Sequence, residues 1–477
     1  MLRSAPNKIT RVKSRTSLER DLRKLVSAAK GAESVITDSV RLAELGRDKW
    51  FAAALPEIAV APATAEESAA VLGYANKHGI PVTTRGAGYG YVGGCVPVRG
   101  GILMSMHRMN RIKEINDRDF VAVVQPAVIT GVLQAAVQKK GLFYPPDPAS
   151  LKDCSIGGNI ATNAGGPRCL KYGVTRPYVL GLQVALADGR LVRVGGRTHK
   201  NKTGFDLTSL FVGSEGLLGV ITEATLRLLP YPPARATLST GFASMKEASA
   251  AVQAIFKAGF LPCAVEVADS FTLQSARNAH AGQKGTFIPP GNAHLLVEID
   301  GQKASVLSEG KALKSLLAAN KALEVELATS PERCERMWAL RRAFSASLKA
   351  TGLTKLNEDI AVPRGRLVDL IKFAERLQKK TGFQIACFGH AGDGNIHVNI
   401  MVSAEQQAQE PQQIEAALDA LFAQVIAWGG AITGEHGIGL AKKRWWPQAT
   451  SPELRDLHAA VKQALDPQGI LNPGKFV

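Results

Sequence analysis

Cysteines are few in this chain of 477 residues, and they are scattered along the sequence. No C-x-x-C pair occurs among the six, which are Cys95, Cys154, Cys169, Cys263, Cys334 and Cys387. Their spacing argues against an iron–sulfur cluster, a zinc ribbon and a disulfide framework. Such cysteine usage is typical of a reducing compartment and predicts a cytoplasmic location.

Long apolar segments and aromatic residues are also scarce. The longest uncharged candidate for a membrane span, residues 420–434, has only fifteen residues and ends in glycine, so it is too short to cross a bilayer. No apolar segment of a secretory signal follows the basic N-terminus. Aromatic residues make up 6% of the chain and do not alternate with basic ones, so we expect no nucleic-acid binding. Any membrane contact is predicted to be peripheral.

Acidic residues are too few to balance the basic ones, and the net charge is +17. Residues 1–30 hold much of this excess, because nine Lys and Arg stand against only Glu19 and Asp21, a net charge of +7. Three interpretations of this basic arm remain open. It is a solvated tail, a contact for an anionic membrane surface or a partner, or an organellar transit peptide that would direct the protein to mitochondria.

The length of the chain exceeds what one hydrophobic core normally serves, so we expect at least two domains. Prolines between residues 229 and 235 mark a linker that cannot continue a helix or a central strand. Before the linker, residues 17–30 are predicted as a helix, and Thr64 with Glu67 as the capping box of a second. After the linker we expect an antiparallel sheet with helices on one face: strands near 237–240, 263–267, 294–300 and 324–327, and helices near 246–258, 305–319 and 331–350.

Two glycine-rich segments favour a large, flat ligand. Residues 85–94 contain five glycines after a short strand at 80–84, which lets backbone N–H groups approach a phosphate closely. The match to G-x-G-x-x-G is incomplete and no helix pattern follows, so a nicotinamide Rossmann unit is disfavoured. Residues 154–167 carry no charge and are too rich in glycine to be a core helix. We expect the two segments to hold one cofactor from two sides.

A third group of residues has the composition of a metal site. His390, His397 and Glu435 are the proposed ligands, since zinc and similar divalent metals take imidazole nitrogen and carboxylate oxygen. His436 remains free to move a proton, and Asn399 shares a strand face with His397. A single histidine in a strand is usually an ordinary core or surface residue. Three of the nine histidines within two glycine-framed segments favour a site.

Several motifs together resemble a known flavoprotein family. Residues 85–94, the Pro146-Asp147-Pro148 segment, and residues 157–166, 171–173 and 213–222 resemble the FAD domain of the vanillyl-alcohol-oxidase type. Within that type, the D-2-hydroxyacid dehydrogenases are the most similar subgroup. The resemblance implies an α+β fold, with a two-lobed FAD-binding domain of the PCMH type, an antiparallel-sheet cap domain and a C-terminal segment that returns to the flavin. We expect an arm at 1–50, the FAD domain at 51–232, the cap at 233–465 and the returning segment at 466–477.

The resemblance also implies which residues hold the cofactor. Some relatives attach the flavin to a histidine in the first glycine segment, where this chain has Tyr89, so non-covalent FAD is implied. The implied FAD-binding residues are Arg85, Gly86, Ala87, Gly88, Tyr89, Gly90, Gly93, Gly94, Pro146, Asp147, Cys154, Ser155, Ile156, Gly157, Gly158, Asn159, Thr162, Asn163, Gly165, Gly166, Gly219, Ile221 and Asn472.

Basic residues after the linker are candidates for binding substrate. Arg341 lies three residues from Trp338 and four from Ser345, so the three share a helix face, and a guanidinium suits a carboxylate. By resemblance, Arg341 clamps the substrate carboxylate. Lys355 is implied as a second basic contact, and Asn399 is predicted to orient substrate or ligand. The neighbouring Arg342 is interpreted as a surface ion pair.

The expected activity is oxidation of a small D-2-hydroxy acid, D-lactate or glycolate, with D-2-hydroxyglutarate as an alternative. FAD takes the hydride, a zinc-like metal activates the hydroxyl, and His436 takes the proton. A separate acceptor must remove the electrons: a cytochrome, a quinone, an electron-transfer flavoprotein or an iron–sulfur subunit. A homodimer is a further expectation. Two rivals remain, a metal-dependent hydrolase that leaves the glycine segments without a ligand, and a basic nucleic-acid binder.

Overall fold

The computed structural model of the protein describes residues 14–27, 34–279 and 288–477. Residues 1–13 and 28–30 of the basic arm lie outside the described residues, so the interpretations of that arm stay predictions. The helix predicted over 17–30 is shorter than expected, because α1 spans Arg15–Leu22. Among the helices that the structure describes, none is long and apolar enough to cross a bilayer.

Two sheets and a short ribbon form before residue 231. Their strands are β1 (Val35–Ile36), β2 (Ile58–Val60), β3 (Val82–Arg85), β4 (Ile102–Ser105), β5 (Ile112–Asn116), β6 (Val121–Val124), β7 (Leu142–Phe143), β8 (Val179–Ala185), β9 (Leu191–Gly195), β10 (Val220–Arg227) and β11 (Leu229–Pro230). The first sheet has the order β1-β2-β4-β3, the second is antiparallel with the order β5-β6-β10-β8-β9, and β11 pairs with β7. The helices are α2 (Ser39–Leu45), α3 (Ala65–His78), α4 (Thr130–Gln138), α5 (Ile156–Thr162), α6 (Cys169–Tyr172) and α7 (Leu207–Phe211).

Local sequence signals explain where some of these elements begin. The Thr64 hydroxyl accepts the Glu67 N–H at 3.1 Å, which confirms the predicted cap of α3, but the Glu67 carboxylate accepts the Ala63 N–H instead of closing on Thr64. One expectation is wrong, because part of the uncharged segment 154–167 is helical, as α5. The proline-dense linker does not continue a central strand, since β11 within it belongs to a two-stranded ribbon, where proline is tolerated at the edge.

A single seven-stranded antiparallel sheet forms after the linker. Its strands are β12 (Ala234–Phe242), β13 (Ala264–Ala268), β14 (Ala293–Gly301), β15 (Glu324–Ala328), β16 (Thr354–Ala361), β17 (Gln384–His390) and β18 (Asn395–Val402), in the order β15-β12-β14-β13-β17-β18-β16. The helices are α8 (Met245–Lys257), α9 (Ser270–Ala279), α10 (Lys303–Ala319), α11 (Pro331–Lys349), α12 (Leu367–Thr381), α13 (Ala404–Gln409), α14 (Pro411–Ala427), α15 (Trp446–Ala449) and α16 (Pro452–Leu465). The predicted antiparallel sheet and α+β class are confirmed.

Helices cover both faces of this sheet, so the expectation of one covered face is wrong. On β14, Leu295 and Val297 join the large core formed with α8, α10 and α12, whereas Leu296 between them packs with Met337 and Trp338 of α11. Successive strand residues point to opposite faces of the sheet, so each strand contributes side chains to two cores. An apolar residue is needed at nearly every position, which is why these strands lack a simple alternating pattern.

Because side chains alternate along a strand, apolar core residues and polar residues lie on opposite faces of the sheet in several strands. On β18, Ile396, Val398 and Ile400 belong to the large core, which places His397 and Asn399 on the opposite face, the face that α11 covers. Glu266 on β13 and His390 on β17 lie on that same face by the same count. The sheet therefore collects its buried polar side chains beneath α11.

Candidate active site

A cavity of about 460 Å³ lies where the two glycine-rich segments meet. Its wall includes the following predicted cofactor residues: Gly86, Ala87, Gly88, Tyr89, Gly90, Gly94, Cys154, Ser155, Gly157, Gly158, Asn159, Thr162, Gly165, Gly219 and Ile221. Arg342, Ser345, Glu435 and His436 extend the wall from the part of the chain that carries the seven-stranded sheet. The structure thus brings the predicted cofactor segments, one predicted metal ligand and the predicted base to one space.

The two segments approach each other too closely for larger residues. The Ala87 N–H donates to the Ser155 hydroxyl at 3.2 Å, and a Cβ on Gly86 would lie only 2.6 Å from that oxygen. A Cβ on Gly157 would lie 2.7 Å from the Pro126 ring. Small residues are therefore required here by packing, and they leave bare backbone facing the cavity.

Other predicted cofactor residues surround the cavity without forming its wall: Arg85, Gly93, Pro146, Asp147, Ile156, Asn163, Gly166 and Asn472. The Arg85 guanidinium donates to the carbonyl oxygens of Leu45 and Arg47 and so braces the first segment from behind. Asp147 pairs with Arg168 at 3.0 Å. Burial raises the pKa of Asp147 to about 6, against the opposing effect of Arg168. Their roles toward a cofactor stay predictions.

The three predicted metal ligands converge at the edge of this cavity. His390 ends β17, His397 lies on β18, and Glu435 follows on a later turn, yet their ligand atoms all lie within 4.8 Å of one another. His397 Nε2 is 3.5 Å and His390 Nε2 3.8 Å from Glu435 Oε1. Burial lowers the pKa of His397 to about 3, which keeps that imidazole neutral, the form that binds a metal.

Glu266 supports His390 from the neighbouring strand. The His390 Nδ1–H donates to Glu266 Oε1 at 2.5 Å, and the Arg341 Nε–H donates to Glu266 Oε2 at 2.5 Å. Burial by itself would raise the pKa of Glu266, but the charges of Arg341 and His390 outweigh burial and lower this pKa to about 2. Arg341, predicted to clamp substrate, is thus tied to a carboxylate of the protein through Nε. Its role toward substrate stays a prediction.

Asp359 holds the turn that carries Glu435 and His436. Its Oδ2 accepts the N–H groups of Gly434, Glu435 and His436 at 3.0, 2.8 and 2.9 Å. Burial opposes its charge, but nearby His436 and Lys442 outweigh burial and hold the pKa of Asp359 well below its usual value. One buried carboxylate thereby fixes three consecutive peptide groups.

His436 lies between two aromatic rings. Its imidazole stacks on the ring of Tyr91, with centroids 5.3 Å apart, and on the imidazole of His397, with centroids 5.7 Å apart. Tyr91 belongs to the first glycine segment, so the cofactor cavity and the metal-ligand cluster meet at His436. The predicted base therefore faces the space that a cofactor and a substrate would share.

Ser345 of helix α11, which lines the cavity, pairs with Lys355 of β16. Lys355 Nζ donates to the Ser345 hydroxyl at 2.8 Å, which brings together two of the predicted substrate residues. Burial, with a smaller effect of Lys349, lowers the pKa of Lys355 to about 8. Arg342 forms the predicted ion pair with Glu335, but it also lines the cavity, which the sequence interpretation missed.

The end of the chain returns to the first glycine segment. The Asn472 side-chain amide donates to the carbonyl oxygens of Gly94 and Glu215 at 2.9 and 2.8 Å. The Glu215 carboxylate in turn accepts the N–H groups of Ile438 and Gly439, both at 2.8 Å. Glu215 and Asn472 thus connect the cavity wall, the turn after His436 and the C-terminus.

Comparison with protein families matches both parts of the chain. Residues 56–195 match the model described as FAD binding domain, and residues 231–476 match the model described as FAD linked oxidases, C-terminal domain. The chain belongs to the FAD-linked oxidase family. It is therefore a flavin-dependent oxidoreductase that binds FAD, and the resemblance to flavin-dependent hydroxyacid dehydrogenases is confirmed. Both glycine-rich segments lie within the matched FAD binding domain, whereas neither rival interpretation assigned them a ligand.

Relatives and a solved structure agree with this assignment. The chain is 38% identical to glycolate oxidase subunit GlcD of Bacillus subtilis (strain 168) over 423 residues, 88% of this chain and 89% of the relative. It is 34% identical to D-lactate dehydrogenase of Anaerostipes hadrus over 434 residues, 89% and 90% of the two chains. The fold is similar to that of p-cresol methylhydroxylase, with a TM-score of 0.79 at 20% identity, covering 99% of this chain and 98% of the other.

The residues around the cavity fit FAD on structural grounds. The wall is built from glycine, alanine, serine and asparagine backbone that a Cβ would crowd, as at Gly86 and Gly157. The Asn472 Oδ1 is buried beside the cavity wall and accepts no hydrogen bond from the described residues. A buried acceptor of this kind is normally satisfied by a ligand or water.

Proposed function

We propose that this protein oxidises a small D-2-hydroxy acid, D-lactate or glycolate, to the corresponding 2-oxo acid. The observation that carries the proposal is the meeting of a metal-type ligand cluster and a free imidazole at the wall of an FAD cavity. The names of the relatives, a glycolate oxidase subunit and a D-lactate dehydrogenase, support this substrate class. The domain boundaries at 50, 232 and 465 are part of the proposal.

The ligand cluster supports a divalent metal, zinc or a similar ion. Two imidazoles and one carboxylate form a donor set that suits zinc and leaves a coordination position open for substrate. The His390 Nδ1–H is committed to Glu266, so Nε2, which faces Glu435, is the nitrogen that would bind a metal on losing its proton. The proposed ligands are therefore His390, His397 and Glu435. When bound, such a metal supplies Lewis-acid polarisation of the substrate hydroxyl.

The protein's own groups perform the remaining tasks. Arg341, with Ser345 and Lys355, holds the carboxylate of the substrate, and within the described residues Glu266 is the only carboxylate that Arg341 contacts. Asn399 orients substrate or a neighbouring ligand. His436 takes the hydroxyl proton at an imidazole nitrogen, held in place by stacking against Tyr91 and His397. FAD, held by the two glycine-rich segments, would supply the hydride acceptor.

Electrons then leave the protein through a separate acceptor. Non-covalent FAD and an external acceptor, which is a cytochrome, a quinone, an electron-transfer flavoprotein or an iron–sulfur subunit, complete the proposed cycle. A homodimer and a peripheral membrane contact stay predictions from sequence.

Anaerobic reduction of the flavin tests this proposal. FAD-loaded protein is mixed with D-lactate, L-lactate, glycolate and D-2-hydroxyglutarate, and the oxidised-flavin band near about 450 nm is followed. We expect rapid bleaching with D-lactate or glycolate, and at least about 100-fold slower bleaching in His436→Ala. His458→Ala, at an exposed histidine in edge-to-face contact with Trp446, is the matched control and should bleach normally. Bleaching with none of the four acids would refute the proposal.

A further inference from the structure

Glu266 is a buried carboxylate with both of its oxygens in use. It lies in the middle of β13, directly opposite His390 in the register of β13 and β17, and its side chain is completely inaccessible to solvent. One oxygen accepts the His390 Nδ1–H and the other the Arg341 Nε–H, each at 2.5 Å. The residue thus touches one proposed metal ligand and the proposed carboxylate-binding arginine at once.

The bond to His390 determines which nitrogen of the imidazole is available. A carboxylate has no proton to donate, so it accepts only from an Nδ1 that carries hydrogen. Nε2, the atom 3.8 Å from Glu435, is then the nitrogen that is left to bind a metal. Carboxylates in this position also orient the ring, and their loss weakens metal binding in other proteins by about 10- to 100-fold.

The bond to Arg341 fixes the plane of the guanidinium. Its carbon lies 5.0 Å from the centroid of the Phe388 ring and 5.8 Å from that of Phe344, so aromatic rings flank the group that Glu266 holds. With Nε committed, the two terminal nitrogens are the part of the fork that remains for a substrate carboxylate. A single side chain consequently sets the geometry at both ends of the substrate.

We propose that Glu266 is a positioning residue that couples the metal ligand His390 to the substrate arginine Arg341. This inference rests on the proposed function, because it gives Glu266 a role toward a metal and a hydroxy acid. It differs from a simple core ion pair, which would stabilise the fold without changing how the site binds a metal.

Glu266→Gln separates these two roles. Glutamine keeps the volume, but its amide has one acceptor oxygen and one NH₂ donor, so it cannot accept from both His390 and Arg341. Arg341 remains protonated and needs the oxygen, which turns the NH₂ toward His390 Nδ1. His390 must then accept at Nδ1 and carry its proton on Nε2, the tautomer that cannot bind a metal through Nε2.

Glu298→Gln is the matched control. Glu298 lies on β14 beside β13, is 1% exposed, and accepts from the Trp338 indole at 2.6 Å and from Arg168 at 3.2 Å. It therefore shares with Glu266 the burial, the arginine partner and the sheet. The described residues show no contact between Glu298 and a proposed metal ligand.

The experiment measures zinc affinity of the metal-stripped, FAD-loaded protein by competition with a chromophoric chelator, together with the thermal midpoint of each variant. We expect Glu266→Gln to weaken zinc binding about 10- to 100-fold and Glu298→Gln to leave it within about twofold, with comparable losses of thermal stability. Equal zinc affinity in wild type and Glu266→Gln, or equal weakening in both variants, would overturn the inference. A wild type that takes up no zinc would contradict the proposed metal site itself and the inference with it.

Discussion

Asp359→Asn is expected to dismantle the turn that carries Glu435 and His436 with almost no change of side-chain volume. The Asp359 carboxylate is buried, and its Oδ2 accepts three consecutive backbone N–H groups between 2.8 and 3.0 Å. Its Oδ1 accepts the Asn395 side-chain amide at 2.6 Å. An amide in this place has no charge and only one acceptor oxygen.

The expected cost follows from these contacts. Whichever way the new amide turns, its NH₂ group meets another donor, either Asn395 or the backbone of the turn. An unsatisfied buried donor costs about 1–3 kcal/mol. Lys442, also buried, lies 3.8 Å from Oδ2 and loses its counter-ion, and breaking a buried pair costs about 3–5 kcal/mol. Because these costs overlap, we expect a loss of about 4 kcal/mol, close to the whole stability of a marginal protein.

Urea unfolding followed by intrinsic fluorescence measures this loss, with Asp269→Asn as the control. Asp269 is half-buried and accepts the Thr272 and Cys387 N–H groups, but burial of its carboxylate raises the pKa to about 6, so its charge is already disfavoured. The NH₂ of the new amide meets a backbone donor there too, so we expect a cost of about 1–3 kcal/mol, without the further cost of an unpaired buried lysine. If Asp359→Asn and Asp269→Asn shifted the free energy of unfolding equally, the role assigned to the Asp359 charge would be wrong.

Three further predictions concern residues at or beside the cavity. Burial, with Lys349, lowers the pKa of Lys355 to about 8, so its charge is present below that pH and lost above it. The KM for the hydroxy acid should therefore rise above pH 8 in wild type but not in Lys355→Arg. Identical pH profiles of the two proteins would contradict this. A Cβ on Gly165 would lie 3.1 Å from Glu435 Oε2, so Gly165→Ala should weaken zinc binding several-fold; normal zinc affinity would contradict the predicted displacement of the Glu435 carboxylate. Asn472→Ala removes two hydrogen bonds beside the cavity and should raise the Kd for FAD about 30-fold in a fluorescence titration, at about 1 kcal/mol for each bond; unchanged FAD affinity would refute the predicted return of the C-terminus to the flavin.

Short-range signals in the sequence were sufficient for much of the fold. Helix α10, predicted over 305–319, spans Lys303–Ala319, and β14, predicted over 294–300, spans Ala293–Gly301. Caps and apolar periodicity determine such elements locally. The covering of both sheet faces was missed because a strand between two cores is apolar throughout, which periodicity cannot distinguish from other buried segments.

Site residues were predictable where the residue type is uncommon and clustered in the sequence. They were not predictable where a common residue type matters only because of its contacts in the folded structure. Clustered histidines pointed directly to His390 and His397. Glu266 and Asp359 were missed because their importance comes from pairing across strands far apart in sequence. One signal was present for Glu266, a lone carboxylate in the apolar strand Ala264–Ala268, since a buried charge requires a partner.

The contact between Asn472 and Gly94 joins residues 378 positions apart. Nearly the entire polypeptide must therefore be synthesised before the contact that joins the C-terminal segment to the first glycine-rich segment can form. Until then, the nascent chain would expose the incomplete FAD-binding domain, and partly folded domains are prone to aggregate. Flavin supply during expression should consequently govern the yield of active protein after synthesis ends, and a truncated product should accumulate in inclusion bodies even when its N-terminal half is intact.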